Sequence, residues 1–533
     1  MKRPEFVDAT QAELDEILAL AKTAFPAPQY QLLEGVLGTF VYVMQALQNA
    51  KSSIKRLRQM LFGARTESKH NVLKDHAAAA AEGGDDEHPA AAKPPLPAAG
   101  HGRNGAQAYC DSPVIEIAPL DLQSGDPCPE CITGRVYAAP PRIIVKVIGQ
   151  PPLAATLYKF QQLRCRLCDT TFTAAMPEGA SSAKYDHSCA SMLALLRYGS
   201  GMPFYRLEGL QASLNVPLPD ATQWDIVAQA VPGPRLAYQE LIRQAAQAEL
   251  LHNDDTPARI LALMRERAKA AAAGHTKAKA INTSGIVAVL APGRKVVLFF
   301  TGHAHAGQNL AQVLAHRAQH LAAPIQMSDA LASNFVGELK TIVAKCLAHG
   351  RRKVVEVMEH FPEPCRYVID ILAQVYANDA HCRDEKMSPE QRLLHHQAHS
   401  AAPMQVLQRW MTDQFEQRLV EPNSALGQAL RYLLKHWSGL TLFLHKAGAP
   451  LDNNVVERAL KRAILHRKNS MFYKTRKGAE VGDIYMSLIH TCQLCHVNAF
   501  EYLQALQIHA HDVQARAALW LPWNYREQLP RAA

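Results

Sequence analysis

AELLHNDDT, Ala248–Thr256, is where the chain turns from helical patterning to strands. Its apolar start and polar end predict a strand that finishes in carboxylates. SGIVAVLAP (Ser284–Pro292) and RKVVLFFTG (Arg294–Gly302) predict a hairpin around Pro292 and Gly293. HAGQNLAQVLAHRA (His305–Ala318) has helical spacing, and PIQMSDA (Pro324–Ala330) reads as a further short strand. Strands, a helix and another strand predict a mixed α/β layer. Asp254 then stands at the end of one strand and Asp329 at the end of another.

A second stretch supplies a third acid. LDNNVVERALKRAILHRKN, Leu451–Asn469, reads as a helix. From Asn453 to Lys477 its only acidic side chain is Glu457, against Arg458, Lys461, Arg462, Arg467, Lys468, Lys474, Arg476 and Lys477. A lone carboxylate in such a field suits a metal ligand beside a polyanion. The local alternative is a capping box, with Asn454 at the N-cap and Glu457 three residues on. Two strand-end aspartates and a helical glutamate can converge on a pair of Mg²⁺ (or Mn²⁺) ions. Such ions activate a water or a 3′ hydroxyl and stabilise the leaving oxygen at phosphorus. Lys461 and Lys468 share a helix face with Glu457, which predicts that they hold DNA phosphates; the alternative is a solvated basic face.

A chain of 533 residues is too long for one core. Its apolar content of 48% is ordinary for globular protein, and a net charge of +9 favours an acidic partner. The pattern divides into an N-terminal helical or coiled-coil arm (1–75), an Ala/Gly/Pro-rich linker (76–108), a cysteine-bearing segment (109–178) and a helical, possible DNA-binding domain (179–247). Then come the first part of the α/β core (248–338), a helical insertion (339–449), the second part of the core (450–480) and a helical tail (481–533). In the arm, one long helix is expected from Gln31 to Phe62, as an oligomerisation coiled coil or an ordinary amphipathic helix. No apolar run is long enough to span a bilayer and no signal peptide is evident, so the expected compartment is a reducing cytoplasm. No Walker-type GxxxxGK[ST] occurs.

Among eleven cysteines, Cys128-Pro-Glu-Cys131 and Cys165-Arg-Leu-Cys168 form two CxxC pairs separated by strand-like PRIIVKVIG and ATLYKFQQLRC. Two such pairs complete a four-thiolate Zn²⁺ site in a ribbon-like segment. Cys492-Gln-Leu-Cys495-His496 matches a haem-attachment string, but it lies in an apolar helical pattern of a chain with no export signal. His395 and His399, four apart on one helix face, read as a solvated cluster without a third ligand.

These residues resemble the large transposase of bacterial insertion-sequence family 66, a DDE-type enzyme. Leu61-Phe62-Gly63 with Arg65 and Glu67 is similar to the end of the family's N-terminal helix, and the CxxC pairs to its zinc segment. Pro203-Phe204-Tyr205-Arg206 resembles PLYR, and His252 with Asp254-Asp255-Thr256-Pro257 resembles HxDETP. Cys346 to Lys353 resembles CxAHARRK. Asn453-Asn454, Glu457-Arg458-Ala459 and Arg467-Lys468-Asn469 resemble NNxxERA and RKN. Asp255 stands in place of Glu, Gly350 of Ala, Val354 of Phe and Ser470 of Trp. The usual DGYxxY is Asp-Ala-Leu-Ala-Ser-Asn at Asp329. The resemblance implies catalytic Asp254, Asp329 and Glu457 in an RNase H-like core split by a helical insertion. If Asp329 is not the second acid, Asp370 and Asp379 are the next candidates. It also implies cleavage of transposon ends, joining of 3′ ends to target DNA, and two small accessory proteins from the same element. Arg351, Arg352, Arg458, Lys461, Arg462, Arg467 and Lys468 are the expected contacts to double-stranded DNA. A homodimer or larger assembly on DNA, associated with a bacterial nucleoid, is the expected working form. The other readings are a catalytically inactive zinc-containing DNA-binding protein and a plain two-metal nuclease.

Overall fold

The computed structural model describes residues 11–37, 114, 116–117, 123–129, 134–137, 150–164, 166, 171–175, 177, 183–272, 280–291, 293–335 and 341–530. Gly83–Ala154 form one compact unit; Met1–Glu82 and Ala155–Ala533 form the other. In the smaller unit the chain reverses around Cys128. Pro127 bridges Arg135 in antiparallel fashion, and the Cys128 N–H donates to Gly134 O at 2.8 Å. Cys131, Cys165 and Cys168 lie outside the described residues, as do residues 38–62 of the expected long helix. What is described there is α1 (Gln11–Ala24) and a helical stretch over 27–37.

The larger unit is mixed α+β. A two-stranded antiparallel ribbon, β1 (Gln162–Arg164) and β2 (Thr171–Thr173), precedes four helices. These are α2 (His187–Ala194), α3 (Phe204–Ser213), α4 (Asp220–Gln229) and α5 (Pro232–Ala246). The sheet follows: β3 (Leu250–Pro257), α6 (Leu261–Ala272), β4 (Asn282–Ala291), β5 (Arg294–Gly302), α7 (Ala306–Leu314), β6 (Ile325–Ser328) and β7 (Ile342–Lys345). Strand order is β5-β4-β3-β6-β7. β3, β4 and β5 are an antiparallel meander, and β6 and β7 run parallel to β3. Ile286–Ala288 and Val296–Phe299 are fully buried, as strands covered on both faces require.

Helices α8 (Leu347–Val355), α9 (Pro362–Asp384), α10 (Pro389–His399), α11 (Ala401–Glu416), α12 (Ala425–Lys435) and the short α13 (Trp437–Leu440) come next. Apolar residues of α8, α9, α11, α12 and α13 share one core with Ile325, Met327 and Ala344 of β6 and β7, so the insertion grows out of this end of the sheet. The chain returns as α14 (Asn454–Ser470), α15 (Arg476–Leu494) and α16 (Ala499–Ile508).

Two expected boundaries move. The helical insertion was placed from 339, yet Ile342–Lys345 is the edge strand β7. A run of four residues is too short to show a period of two against its helical flanks. The tail was placed from 481, yet α15 crosses that point. It is built into the core because its polar residues seal a strand edge. β5 presents the N–H groups of Val297, Phe299 and Thr301 outward; Thr491 Oγ1, Ser487 Oγ and Asp483 Oδ2 accept them at 3.0, 2.9 and 2.6 Å. Every second residue of a strand advances about 6.6 Å and every fourth residue of a helix about 6 Å, so the two ladders keep step. The expected DNA-binding helices also pack on this assembly: Tyr485 Oη donates to Val227 O of α4, and Tyr238 Oη of α5 to Phe299 O.

Candidate active site

Successive residues of a strand face opposite sides, and β3 uses this to separate two neighbouring acids. Asp255 turns to one face, where it accepts from Ser284 Oγ (2.6 Å), from the Ala306 N–H at the start of α7 (3.0 Å) and lies 3.1 Å from His305 Nδ1. It is a structural anchor. Asp254 turns to the other face, toward α14.

Asp329 follows β6 directly. β3 and β6 pair Leu250 with Ile325, Leu251 with Gln326 and His252 with Met327. The same offset, carried onward, sets Asp329 beside Asp254. Asp329 Oδ1 accepts from the Leu331 N–H at 3.1 Å and from Asn334 Nδ2. Asn334 is itself fixed, because its carbonyl accepts from Asn253 Nδ2 (2.8 Å) and Gln326 Nε2 (2.6 Å). A set of buried amides therefore holds the loop that departs most from the family pattern.

Glu457 comes from the first turn of α14. The capping-box expectation is not met: the N-cap is Asn453, with no side-chain cap bond, and Asn454 turns back to Asp452. Asn453 instead staples α14 to β3. Its Nδ2 donates to Asn253 O at 3.1 Å, so its Oδ1 must accept from His252 Nδ1 at 3.0 Å. Burial pushes His252 down to about 4, which keeps it neutral and able to donate once. Gly285 is the second device. It pairs with Asp254 across β3 and β4, and a Cβ there would meet Leu460 Cδ2 at 2.9 Å and Val456 Cγ2 at 3.2 Å. The missing side chain lets α14 lie close to the strand that carries Asp254.

The result is a cluster of like charges. Burial, then the charges of Asp329, Glu457 and Asp255, push Asp254 up to about 7 against an ordinary 3.8, although its carboxylate accepts the Asp255 N–H. Glu457 Oε1 is buried with no hydrogen-bond partner. Carboxylates so arranged fit divalent cations: the charge is surplus, and acceptor capacity is open. His349, on α8, brings Nδ1 to 3.7 Å from Glu457 Oε1.

The basic residues divide. Arg458, Lys461 and Lys468 are exposed on α14. Arg462 donates to Gly199 O (2.8 Å) and Gln493 Oε1 (3.0 Å), and Arg467 donates to Pro257 O, so both brace the helix against its neighbours. Arg351 and Arg352 are half-buried on α8. Asp379 lies within the insertion, fully engaged by Arg392, Arg383 (3.5 Å) and His396 (3.3 Å). His395 packs, with rings tilted, against His399 and against His381 of α9, a neighbour the sequence did not reveal. Gly350 fits because a Cβ there would meet Leu433 Cδ2 at 2.6 Å. Ser470, in place of Trp, accepts from Arg197. Sequence reasoning missed the positioning roles of Asn453, Gly285 and Asn334. Asn453 stood in the quoted NNxxERA stretch and Asn334 closed the quoted Asp-Ala-Leu-Ala-Ser-Asn; nothing local marks Gly285.

Residues 183–481 match the family described as Transposase IS66 family. The uncharacterized protein y4jD of Sinorhizobium fredii (strain NBRC 101917 / NGR234) is 33% identical over 196 residues, covering 36% of this chain and 38% of that protein. The uncharacterized protein y4hP of the same organism is 30% identical over 142 residues, covering 26% and 25%. The chain thus spans less than two fifths of the length of these curated relatives. No solved structure matches.

Proposed function

The chain belongs to the IS66 transposase family, and from that premise we propose a DDE transposase that binds insertion-sequence ends in double-stranded DNA, cleaves there and joins the 3′ ends to target DNA. Asp254, Asp329 and Glu457 are the catalytic acids, in an RNase H-like core that the antiparallel meander and its two parallel strands support. The observation that carries the reading is the gathering of three acids from β3, the end of β6 and α14: burial first, and then the charges of Asp329 and Glu457, raise Asp254 to about 7. Buried like charges are unfavourable unless cations join them. Two Mg²⁺ (or Mn²⁺) ions, when bound, would supply activation of the attacking oxygen and stabilisation of the leaving one.

The protein's own part is placement. Asn334 and the Leu331 N–H aim Asp329; Asn453 and Gly285 set the depth of Glu457; neutral His252 takes the place of a cation that would otherwise compete for the acids. Lys461 and Lys468 lie one and three turns beyond Glu457 on its face of α14, where DNA phosphates would run. The apolar Leu20, Leu32 and Val36, exposed on the N-terminal helices, and Phe25, exposed at the bend between them, support a dimer or larger assembly on DNA. The spacing of Cys128, Cys131, Cys165 and Cys168 supports a structural Zn²⁺. Among the described residues no helix is long and apolar enough to cross a membrane.

The test is incubation with labelled element ends and Mg²⁺. Nicked and joined products are expected. Nicks without joining would leave a plain nuclease, and binding without either would leave an inactive DNA-binding protein. Asp329→Asn cleaving at the parent rate, with Asp254→Asn and Glu457→Gln dead, would move the second ligand elsewhere.

A further inference from the structure

We propose that Cys346, His349 and Glu457 form a separate cation site for a thiophilic divalent ion such as Zn²⁺, and that filling it draws Glu457 out of the acid cluster and stops the reaction. The inhibitory half rests on the reading of Glu457 as a catalytic acid; the site itself does not.

The donor atoms are already together. One sulfur, one imidazole nitrogen and one carboxylate oxygen lie within 4.8 Å of one another. His349 Nδ1 and Glu457 Oε1 are 3.7 Å apart, and each is buried without a hydrogen-bond partner. In a tetrahedral site with metal–nitrogen and metal–oxygen bonds of about 2.0–2.2 Å, such atoms stand roughly 3.3–3.5 Å apart. The remaining contraction is within reach of one glutamate rotamer.

The backbone holds two of the donors in place. Cys346 is the N-cap of α8 and His349 falls one turn later, so both face the same side. The start of α8 is tied to the segment before α14 by Leu347 N–H to Leu451 O, 2.9 Å, and by Asn453 N–H to Cys346 Sγ, 3.2 Å. That second bond aims a donor at the sulfur, an arrangement that favours thiolate. Without metal the thiol stays protonated and inert, because burial pushes it up to about 12. A soft cation displaces the thiol proton to solvent as the sulfur–metal bond forms, and no electron moves. Mg²⁺ does not compete for this set, since it demands oxygen ligands in octahedral array. The fourth position is left for water, as with other three-ligand zinc sites.

The first measurement is metal stoichiometry on reduced full-length protein in excess Mg²⁺, by equilibrium dialysis with Zn²⁺ and by thiolate-to-metal absorption with Co²⁺. The parent and Asp254→Asn should bind one more equivalent than Cys346→Ser and His349→Asn, whose melting curves establish that they are folded. Equal stoichiometry in all four overturns the site. The second is Mg²⁺-dependent cleavage with added Zn²⁺: the parent should be inhibited at concentrations at least about tenfold lower than those Cys346→Ser needs. Equal sensitivity overturns the inhibitory half. Absence of any Mg²⁺-dependent cleavage would count against the transposase reading, while the stoichiometry would still decide the site.

Discussion

Asp254 and Asp379 are both acids drawn out of water, and the molecule treats them in opposite ways. Burial opposes ionisation of Asp379, but His396, Arg392 and Arg383 outweigh it and hold the carboxyl below its usual range. Burial also opposes ionisation of Asp254, and there Asp329, Glu457 and Asp255 add to the effect. A buried acid among cations steadies a helical bundle. A buried acid among acids weakens the fold, and is explained by a positive ligand that the chain does not itself provide. Asp483 is also raised to about 7, by burial and the charge of Glu480, yet Thr301 engages both of its oxygens; the proposed site differs in gathering several acids, among which Glu457 Oε1 has no donor.

The sharpest break between the two should come from neutral isosteres. Asp254→Asn or Glu457→Gln should lower strand cleavage by at least about a thousandfold, with the melting temperature unchanged or raised and end binding retained. Asp379→Asn should do the reverse. It leaves Arg392 and His396 facing a neutral amide, and should cost about 3–5 kcal/mol in denaturant unfolding, with cleavage intact in the protein that remains folded.

Gly285→Val tests the geometry that brings the acids together. The new side chain meets Leu460 and Val456, which should cost about 1–3 kcal/mol. A shift of Glu457 by about 1 Å should lower cleavage roughly a hundredfold, with KM for DNA little changed.

The contrast also has a pH signature. Asp254 is raised in the folded state, so its contribution to stability is full below pH 3.8 and is lost as pH rises through about 7. Asp379 is lowered, so its contribution is present above the unfolded value and is lost as pH falls through the folded one. Melting temperature against pH should show both limbs. Asp254→Asn, or excess Mg²⁺, should reduce the first and leave the part that Asp483, also raised to about 7, contributes; Asp379→Asn should reduce the second. The mildest effect should come from Lys461→Ala with Lys468→Ala, which should lower the salt slope of DNA binding by about one unit for each phosphate contact removed.

Much of this layout was legible because it rests on local pattern. The β4–β5 hairpin follows from two apolar runs about a Pro-Gly pair, and α14 from its periodic apolar positions. Asp254, Asp329 and Glu457 stood out as strand-end acids and a lone helical one. What was hidden depends on partners distant in sequence. The value of Gly285 appears only when Leu460 is packed above it. Asp379 reads as a fallback catalytic acid within the helical insertion until Arg392 and His396 close around it. β7 is four residues long, and only pairing with β6 makes it a strand. The capping box failed because the N-cap falls one residue earlier, at Asn453, and Asn454 spends its side chain on Asp452.

The ladder of Asp483, Ser487 and Thr491 along β5 sets an order of events during synthesis. When residues up to the end of α14 have left the ribosome, all five strands exist, but the amides of Val297, Phe299 and Thr301 still point into open water. An unguarded, strongly apolar strand is a template for another chain. Only when α15 arrives does the edge close, so the nascent protein carries its aggregation hazard across nearly two hundred residues of translation and sheds it late. A chain stopped before Arg476 would keep every proposed catalytic acid and still have the wrong surface to survive in solution.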